Sequence, residues 1–295
     1  MQLNPLTIND RALFYQYYTE NPAKCSYLSF ANLFLWKDAE DIHYFEYTHH
    51  LVVTGKSIYN GKRYFMMPLG GCLCGKLKAY LDEFFGKDYH IYGITAQDLE
   101  SVQKNCGDIF EIHRERDMDN YVYTTEKLIS LSGKKLHGKR NHINKFKDLY
   151  PNHSYEPLTA ENLEKIRPFI EDWYQKKAES DSSVLTEKTA LENALANFEA
   201  LELKGGMLLV DDKVVAFTIG EQLNEDTALI HFEKADTDYQ GAYPMINQQF
   251  VQHAWSHLTY VNREDDMGIE GLRKAKLSYY PDLMVEMYSA TPAAR

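Results

Sequence analysis

The segment Thr227–Lys234 carries a histidine and a glutamate that can do acid–base chemistry. If the segment is a strand, side-chain alternation places His231 and Glu233 on the same face as Leu229. On a face covered by helices, these polar groups either form a buried structural pair or border a cleft. We take Glu233 as the candidate general base and keep the structural pair as the alternative.

A second group of charged and phenolic residues lies between Asn262 and Tyr280. Arg273 and Lys276 are three residues apart on an expected helix, a spacing that places both on one face and suits two phosphate oxygens. The run from Asn262 to Asp266 holds four charged residues in succession. Such a run is either an exposed turn or a set of ligand contacts.

The sequence Gln240-Gly241-Ala242-Tyr243 joins an expected strand to an expected helix and is similar to a shortened phosphate-binding turn. Small residues allow the backbone to approach an anion, and the start of a helix adds partial positive charge. The signal is short, and its position after the third strand of a meander is what supports it.

A basic stretch without acidic side chains extends from Lys127 to Lys147. Projected as a helix, its second part places Lys139 inside an apolar stripe and Arg140 on the border of that stripe. A lysine in this position either extends its amine to water or contacts an anion. Lys139 and Arg140 are therefore the candidates for a phosphate contact, while a solvated helix face is the simpler alternative.

The composition limits the remaining possibilities. The chain has 295 residues, about two domains, and its net charge of −11 disfavours a surface that grips a polyanion throughout. Four cysteines without a Cys-x-x-Cys pair predict reduced, mostly buried thiols, and Cys72-Leu73-Cys74 has no second ligand pair for a metal. From this cysteine spacing we expect no metal site. No run is long and apolar enough to cross a bilayer, and the start has no signal-peptide pattern, so we expect a cytoplasmic protein.

The same order of elements is expected in both halves: three meander strands, a loop, a helix, a strand, a helix and a strand. In the second half the strands are expected at 206–210, 213–220, 227–234, 259–262 and 283–289, with helices at 243–257 and 268–280, and a further helix begins at Thr186. In the first half, weaker signals give strands at 42–47, 51–54, 63–68, 89–94 and 109–113 and helices at 76–85 and 96–105. A strand at 119–124 and the basic helix at 133–150 connect the halves.

Three segments carry a resemblance to a known family: 119–146, the stretch His231-Phe232-Glu233-Lys234-Ala235, and 262–280. They look like a bacterial family of uncharacterised soluble proteins similar to the catalytic C-terminal domain of phosphatidylglycerol lysyltransferase. The resemblance covers nearly the whole chain. It implies an α/β (α+β) fold of two tandem GNAT-like acyltransferase domains, each a mixed, mainly antiparallel sheet flanked by helices. Fem-type transferases, which use aminoacyl-tRNA, share this fold.

The resemblance also implies how a site would be arranged. The acyl donor would lie along 227–235, with its phosphates on the following loop and helix start. The implied donor or cofactor contacts are Lys234, Ala235, Gln240, Gly241, Ala242, Tyr243, Arg273 and Lys276. The implied acceptor contacts are His231, Asn262, Arg263 and Asp265, with Asp265 or Glu264 binding an amine, beside Lys139 and Arg140. Tyr279 or Tyr280 would return a proton to the leaving group, and we choose Tyr279.

Three functions follow as alternatives. The first is acyl transfer from a coenzyme A thioester to an amine or hydroxyl acceptor, the second is aminoacyl transfer from tRNA, and the third is a non-catalytic ligand-binding module. We expect an N-terminal GNAT-like domain at 1–118 that lacks its own donor site, a connecting strand and basic helix at 119–152, and a C-terminal domain with the donor pocket at 153–295. The lack of a membrane span argues against a lipid acceptor, and the oligomeric state stays open.

Overall fold

The computed structural model describes residues 2–71, 73–179 and 184–293. The chain forms two seven-stranded sheets, and each sheet belongs mainly to one of two compact units. The first unit comprises residues 1–120, 265–270 and 284–295, and the second comprises 121–264 and 271–283.

The helices alternate with the strands along the chain. The helices are α1 (Arg11–Glu20), α2 (Phe30–Trp36), α3 (Gly75–Phe85), α4 (Leu99–Cys106), α5 (Thr125–Ser130), α6 (His137–Leu149), α7 (Arg167–Ala178), α8 (Val184–Ala196), α9 (Ala242–Ala254) and α10 (Glu270–Leu277). The strands are β1 (Asn4–Pro5), β2 (His43–Tyr47), β3 (His50–Lys56), β4 (Arg63–Met66), β5 (His90–Thr95), β6 (Phe110–Arg114), β7 (Asn120–Thr124), β8 (His153–Leu158), β9 (Lys204–Val210), β10 (Lys213–Gln222), β11 (Thr227–Ala235), β12 (Tyr260–Asn262), β13 (Leu283–Val285) and β14 (Met287–Pro292).

The two sheets share one topology. In the first, β2, β3 and β4 form an antiparallel meander, and β4 then pairs in parallel with β5. In the second, β9, β10 and β11 form the meander, and β11 pairs in parallel with β12. The duplicated element order that the sequence predicts is therefore confirmed at the level of strand pairing.

Both sheets are completed by a strand from a distant part of the chain. In the first sheet β14 lies between β5 and β6, and in the second β7 lies between β12 and β13. The sequence predicts one strand at 283–289, but the structure has β13 and β14 in different sheets. The units are consequently interleaved in sequence, whereas the expected domain ranges are contiguous.

The second unit has a core built on the faces of its central strands. The apolar side chains of β9 and β10 are almost entirely buried, and α9 contributes Met245, Ile246, Phe250 and Val251 to the same core. This helix thus has its apolar stripe against the sheet, as a helix that packs on a sheet requires.

Two other expectations concern cysteines and membranes. Cys25 and Cys106 are buried free thiols and Cys74 is partly buried, while Cys72 lies outside the described residues. Among residues that the structure describes, no helix has the length and apolar character needed to cross a membrane.

Candidate functional site

The site forms where two parallel strands of the second unit separate. Strand β12 pairs with β11 only from Thr227 to Leu229, although β11 continues to Ala235. The second half of β11 therefore faces a gap in the sheet on its β12 side. Glu233 lies on this half of the strand, and its side chain is only 11% exposed.

Two side chains hold the carboxylate of Glu233. Arg263 Nη2 donates to Glu233 Oε1 at 2.8 Å, and Asn247 Nδ2 of α9 donates to Oε2 at 2.9 Å. Arg263 follows β12 directly, so its ion pair with Glu233 crosses the gap between the separated strands. Burial disfavours the charged guanidinium, but Glu233 outweighs this and raises the pKa of Arg263, which stays cationic.

The Arg263–Glu233–Asn247 group still has hydrogen-bonding capacity to spare. Arg263 Nη1 and Asn247 Oδ1 are both buried and have no hydrogen-bond partner among the described residues. A buried polar atom without a partner costs about 1–3 kcal/mol. Such atoms in a polar gap indicate that a bound molecule or water supplies the missing hydrogen bonds.

Tyr279 is the tyrosine that faces this group. Its side chain is buried, with 5% exposure for the residue, and the Arg263 guanidinium carbon lies 4.9 Å from its ring centroid. Burial raises the pKa of Tyr279 to about 12; Arg263 opposes this rise and Glu233 adds to it. Tyr280 is 45% exposed and lies outside the group. Of the two tyrosines, Tyr279 is therefore the one that contacts Arg263, and its role as a proton donor stays a prediction.

Lys139 of α6 is a second cation that contacts the Tyr279 ring. Its Nζ lies 4.0 Å from the ring centroid, and it has no hydrogen bond or ion pair with the described residues. Burial lowers the pKa of Lys139 to about 8; the positive charge of Arg263 lowers it further and Glu233 opposes both. The apolar stripe predicted for this helix is present, with Ile143 and Phe146 buried.

Arg140, by contrast, does not reach the site. Its Nη1 donates to the backbone carbonyls of Leu131 and Gly133, so it fixes the loop before α6. The predicted phosphate contact of Arg140 stays a prediction, and its Nη1 is already used by these two backbone carbonyls.

His231 is a structural residue in this arrangement. Its Nε2 lies 3.0 Å from Glu221 Oε1 and its Nδ1 lies 3.0 Å from Glu264 Oε1. The pairing of β10 with β11 skips His231, which marks a bulge in β11. Burial alone would lower the pKa of His231, but the two carboxylates raise it to about 9. Both ring nitrogens are occupied, so the buried-pair alternative describes His231 and the predicted substrate contact does not.

The loop around Gly241 differs from a donor-phosphate turn. Gly241 has φ +92° and starts α9, as the turn prediction requires. However, a Cβ at Gly241 would lie 2.3 Å from the carbonyl oxygen of His142, so α6 packs directly against this turn. In the first turn of α9, the Ala242 amide is bonded to Tyr239 O, and Pro244 has no N–H. The glycine is therefore used for helix packing, and the turn has few free amides for an anion.

The neighbouring residues of the predicted donor strand and loop are placed as follows. Lys234 Nζ is paired with Glu187 Oε1 at 2.6 Å and lies over the Trp173 ring. The carbonyl of Ala235 accepts from Trp173 Nε1 at 3.3 Å, and burial raises the pKa of Tyr243. Gln240 is exposed at the tip of the loop.

The predicted phosphate pair on α10 is not formed. Lys276 is buried, and its Nζ donates to the carbonyl oxygen of Arg263 at 2.6 Å, while Arg273 is partly exposed. Lys276 thus fixes the backbone that carries Arg263. Asn262 is also buried, and its Oδ1 accepts from the Glu264 amide at 2.8 Å, which shapes the turn after β12.

Asp265 belongs to the first unit, where it accepts from the Tyr27 hydroxyl at 2.5 Å and from the Met267 amide at 2.8 Å. Its predicted contact with the acceptor stays a prediction.

Sequence reasoning missed Asn247 and a basic groove. Asn247 occurs among buried apolar residues of α9, and a polar residue inside an apolar stripe is the signal that reveals it.

The groove, of about 510 Å³, lies in the second unit beside the start of α6. Its lining includes Lys127, Lys134, Lys135 and Tyr280, together with one acidic residue, Glu126. The absence of acidic residues between Lys127 and Lys147 was the signal for it.

Comparison with known proteins identifies the family. A family model described as "Phosphatidylglycerol lysyltransferase, C-terminal" matches residues 22–291. The chain belongs to this family. The family resemblance inferred from the sequence is thus confirmed, and the match includes Glu233, Arg263 and Tyr279.

Relatives of this chain include an uncharacterised protein of Mycoplasmoides gallisepticum, which is 30% identical over 209 residues. That alignment covers 68% of this chain, and the chain spans 63% of the relative's length.

Among solved structures, a conserved protein of unknown function from Bacteroides thetaiotaomicron is 34% identical, with a TM-score of 0.90 over 99% of this chain and 100% of the other. The C-terminal domain of a putative lysylphosphatidylglycerol synthetase from Agrobacterium fabrum is 13% identical, with a TM-score of 0.60 and coverages of 96% and 93%. A tandem GNAT protein from the clavulanic acid biosynthesis pathway is 9% identical, with a TM-score of 0.54 and coverages of 100% and 99%. The predicted tandem GNAT-like fold is confirmed.

Proposed function

We propose that this chain transfers an acyl or aminoacyl group from an activated carrier to an amine or hydroxyl. The observation that carries the proposal is the polar group in the gap between β11 and β12, where Arg263 and Asn247 have unpartnered buried atoms. Acyl transfer requires donors for a developing oxyanion, a proton acceptor and a proton donor. The family and the fold support the same reaction class.

Each residue of the group has a role in the proposal. Arg263 Nη1 carries two N–H groups, and in the proposal one of them donates to the oxyanion of the reacting carbonyl. Glu233 receives the proton of the acceptor, for which one of its present partners must turn to the substrate. Tyr279, whose pKa is raised to about 12, keeps its proton at neutral pH and delivers it to the leaving group. Asn247 orients Glu233.

Two activated carriers are candidates for the donor. A coenzyme A thioester is the donor that a GNAT-like turn at Gly241 would support, with Gln240, Ala242 and Tyr243 as its neighbours. The contact of Gly241 with α6 leaves less room there for a pyrophosphate. An aminoacyl-tRNA is the second candidate, because the lysine-lined groove at the start of α6 offers an alternative place for carrier phosphates. The third alternative is a non-catalytic ligand-binding module, and it would be favoured if the chain discharges neither donor.

The test is single-turnover discharge of two labelled donors, acetyl coenzyme A and lysyl-tRNA, with hydroxylamine as a general acceptor. The proposal predicts that the chain discharges at least one donor faster than the enzyme-free control. Glu233→Gln should slow that discharge by about 10²-fold or more, since proton transfer contributes roughly 10²–10⁴-fold. Lys145→Met, an exposed change on α6, is the matched control. Equal rates for Glu233→Gln and wild type would remove Glu233 from the chemistry.

A further inference from the structure

The site in the gap of the second sheet carries an excess of positive charge. Lys139 and Arg263 contribute two cations, and Glu233 is the carboxylate that pairs with Arg263. The Lys139 ammonium contacts the face of Tyr279 and has no carboxylate bonded to it among the described residues. A charge without a paired anion in a partly buried position is costly, and a protein that retains it needs a compensating ligand or a shifted pKa.

The unpartnered atom of Arg263 lies in the same cluster. Its Nη1 is a buried donor with no acceptor among the described residues. The guanidinium carbon of Arg263 and Lys139 Nζ approach the same tyrosine ring at 4.9 and 4.0 Å. A guanidinium N–H and an ammonium that approach the same ring are the kinds of donor that an anion takes. Neither group offers an acceptor, so a neutral hydrogen-bond donor would not satisfy them.

From this we infer that Lys139 and Arg263 form a subsite for a singly charged anion, a carboxylate or a phosphodiester group of a substrate, over the face of Tyr279. One negative charge would balance the net charge of Lys139, Arg263 and Glu233. The inference rests on the proposed function only in naming the anion as part of a substrate. It can be tested without turnover, so its failure and the failure of acyl transfer are distinguishable.

An anion that binds in this subsite should change the protonation of Lys139. An anion beside an ammonium favours the charged form and raises its pKa. Because the pKa of free Lys139 is lowered to about 8, anion binding near pH 8 must be accompanied by proton uptake by this side chain. At pH 6 the amine is already protonated in both states, so the uptake disappears.

The experiment is NMR titration of the chain with ¹³Cε-labelled lysines, in which Lys139→Met assigns the signal. Dimethyl phosphate and acetate are the probes, and sodium chloride at equal ionic strength is the reference. We expect the Lys139 signal to titrate near pH 8 in chloride and its midpoint to rise by one pH unit or more with a saturating probe. The exposed Lys145 serves as the internal control and should show no probe-specific change.

The outcomes separate the two anion chemistries. A rise with dimethyl phosphate alone assigns a phosphodiester subsite, a rise with acetate alone assigns a carboxylate subsite, and a rise with both supports an anion subsite open to either group. No rise with either probe, or a Lys139 signal that titrates together with Lys145, would overturn the inference.

Discussion

At the scale of single residues, the site depends on which polar side chains are already satisfied. His231, Lys276 and Asn262 have their polar atoms engaged by protein groups and therefore hold the framework. Arg263, Asn247 and Lys139 are the ones with capacity left for a ligand. The residues that can bind a ligand and the residues that hold the site together are thus different ones, although the sequence alone presents them as one group.

The first prediction concerns His231. Because its pKa is raised to about 9 in the fold, the folded chain keeps this proton to higher pH than the unfolded chain. The stabilisation is complete below about pH 6.5, the ordinary histidine value, and is lost as the pH rises through about 9. His231→Gln should lower the free energy of unfolding by about 3 kcal/mol at pH 6, since it leaves buried carboxylates without their cation.

Urea unfolding at pH 6 and pH 9.5 measures this effect. The difference between wild type and His231→Gln should shrink at the higher pH, whereas His142→Gln, an exposed change on α6, should match wild type at both. A difference that is constant with pH would show that the fold does not raise the pKa of His231.

At the scale of elements, the contact between α6 and the start of α9 is the decisive feature. Gly241 allows the two helices to approach, because it has a positive φ and no Cβ. This packing brings Lys139 of α6 towards Tyr279 while it covers the turn at Gly241. The contact between α6 and α9 therefore both places Lys139 in the site and limits the access of a ligand to the turn at Gly241.

We predict that Gly241→Ala destabilises the chain by about 2 kcal/mol or more, because alanine is strained at this φ and its Cβ meets the carbonyl of His142. Gly138→Ala, in the open part of α6, is the control and should be neutral or stabilising by up to about 1 kcal/mol. Thermal unfolding of both variants checks the pair. An unchanged melting temperature for Gly241→Ala would show that α6 does not pack on this turn.

The sequence is informative about elements and less so about their partners. The meander strands and the helices at 76–85 and 243–257 follow from local periodicity, and the structure has them within a few residues of the expected ends. The insertion of β14 into the first sheet does not follow, because pairing between distant segments has no local signature. The same limit applies to the site: Glu233 and Tyr279 are recognisable by type, but the burial of Lys276 and the use of Arg140 by a loop are tertiary effects.

At the scale of the whole molecule, the electrostatic contrast is the main feature. The chain has a net charge of −11, yet the groove of the second unit is lined by three lysines, Lys127, Lys134 and Lys135, and one acidic residue, Glu126. Lys127 is paired with Asp282, so Lys134 and Lys135 carry most of the local positive charge. A local cationic surface on an acidic protein selects a polyanion at one place and repels it elsewhere.

The groove gives a prediction that separates the two donors. If tRNA is the carrier, the logarithm of its affinity should fall with the logarithm of salt concentration with a slope that reports several phosphate contacts, and Lys134→Gln with Lys135→Gln should reduce that slope by about 2. Coenzyme A binding should depend much less on salt. Fluorescence anisotropy of labelled tRNA between 50 and 200 mM salt, roughly the range in which such contacts are resolved, measures the slope. A double variant with the wild-type slope would exclude the groove.

The central claim, that acyl transfer takes place in the gap between β11 and β12, is tested most directly by comparing two adjacent tyrosines. Tyr279 faces Arg263 and Lys139, whereas Tyr280 is exposed and outside that group. The measurement is the single-turnover rate of donor discharge by Tyr279→Phe and by Tyr280→Phe, with the donor that the wild-type chain uses. The account predicts a loss of about 10²-fold for Tyr279→Phe and a rate within about twofold of wild type for Tyr280→Phe. Equal rates for the two variants, or a wild-type chain that discharges neither donor, would contradict it.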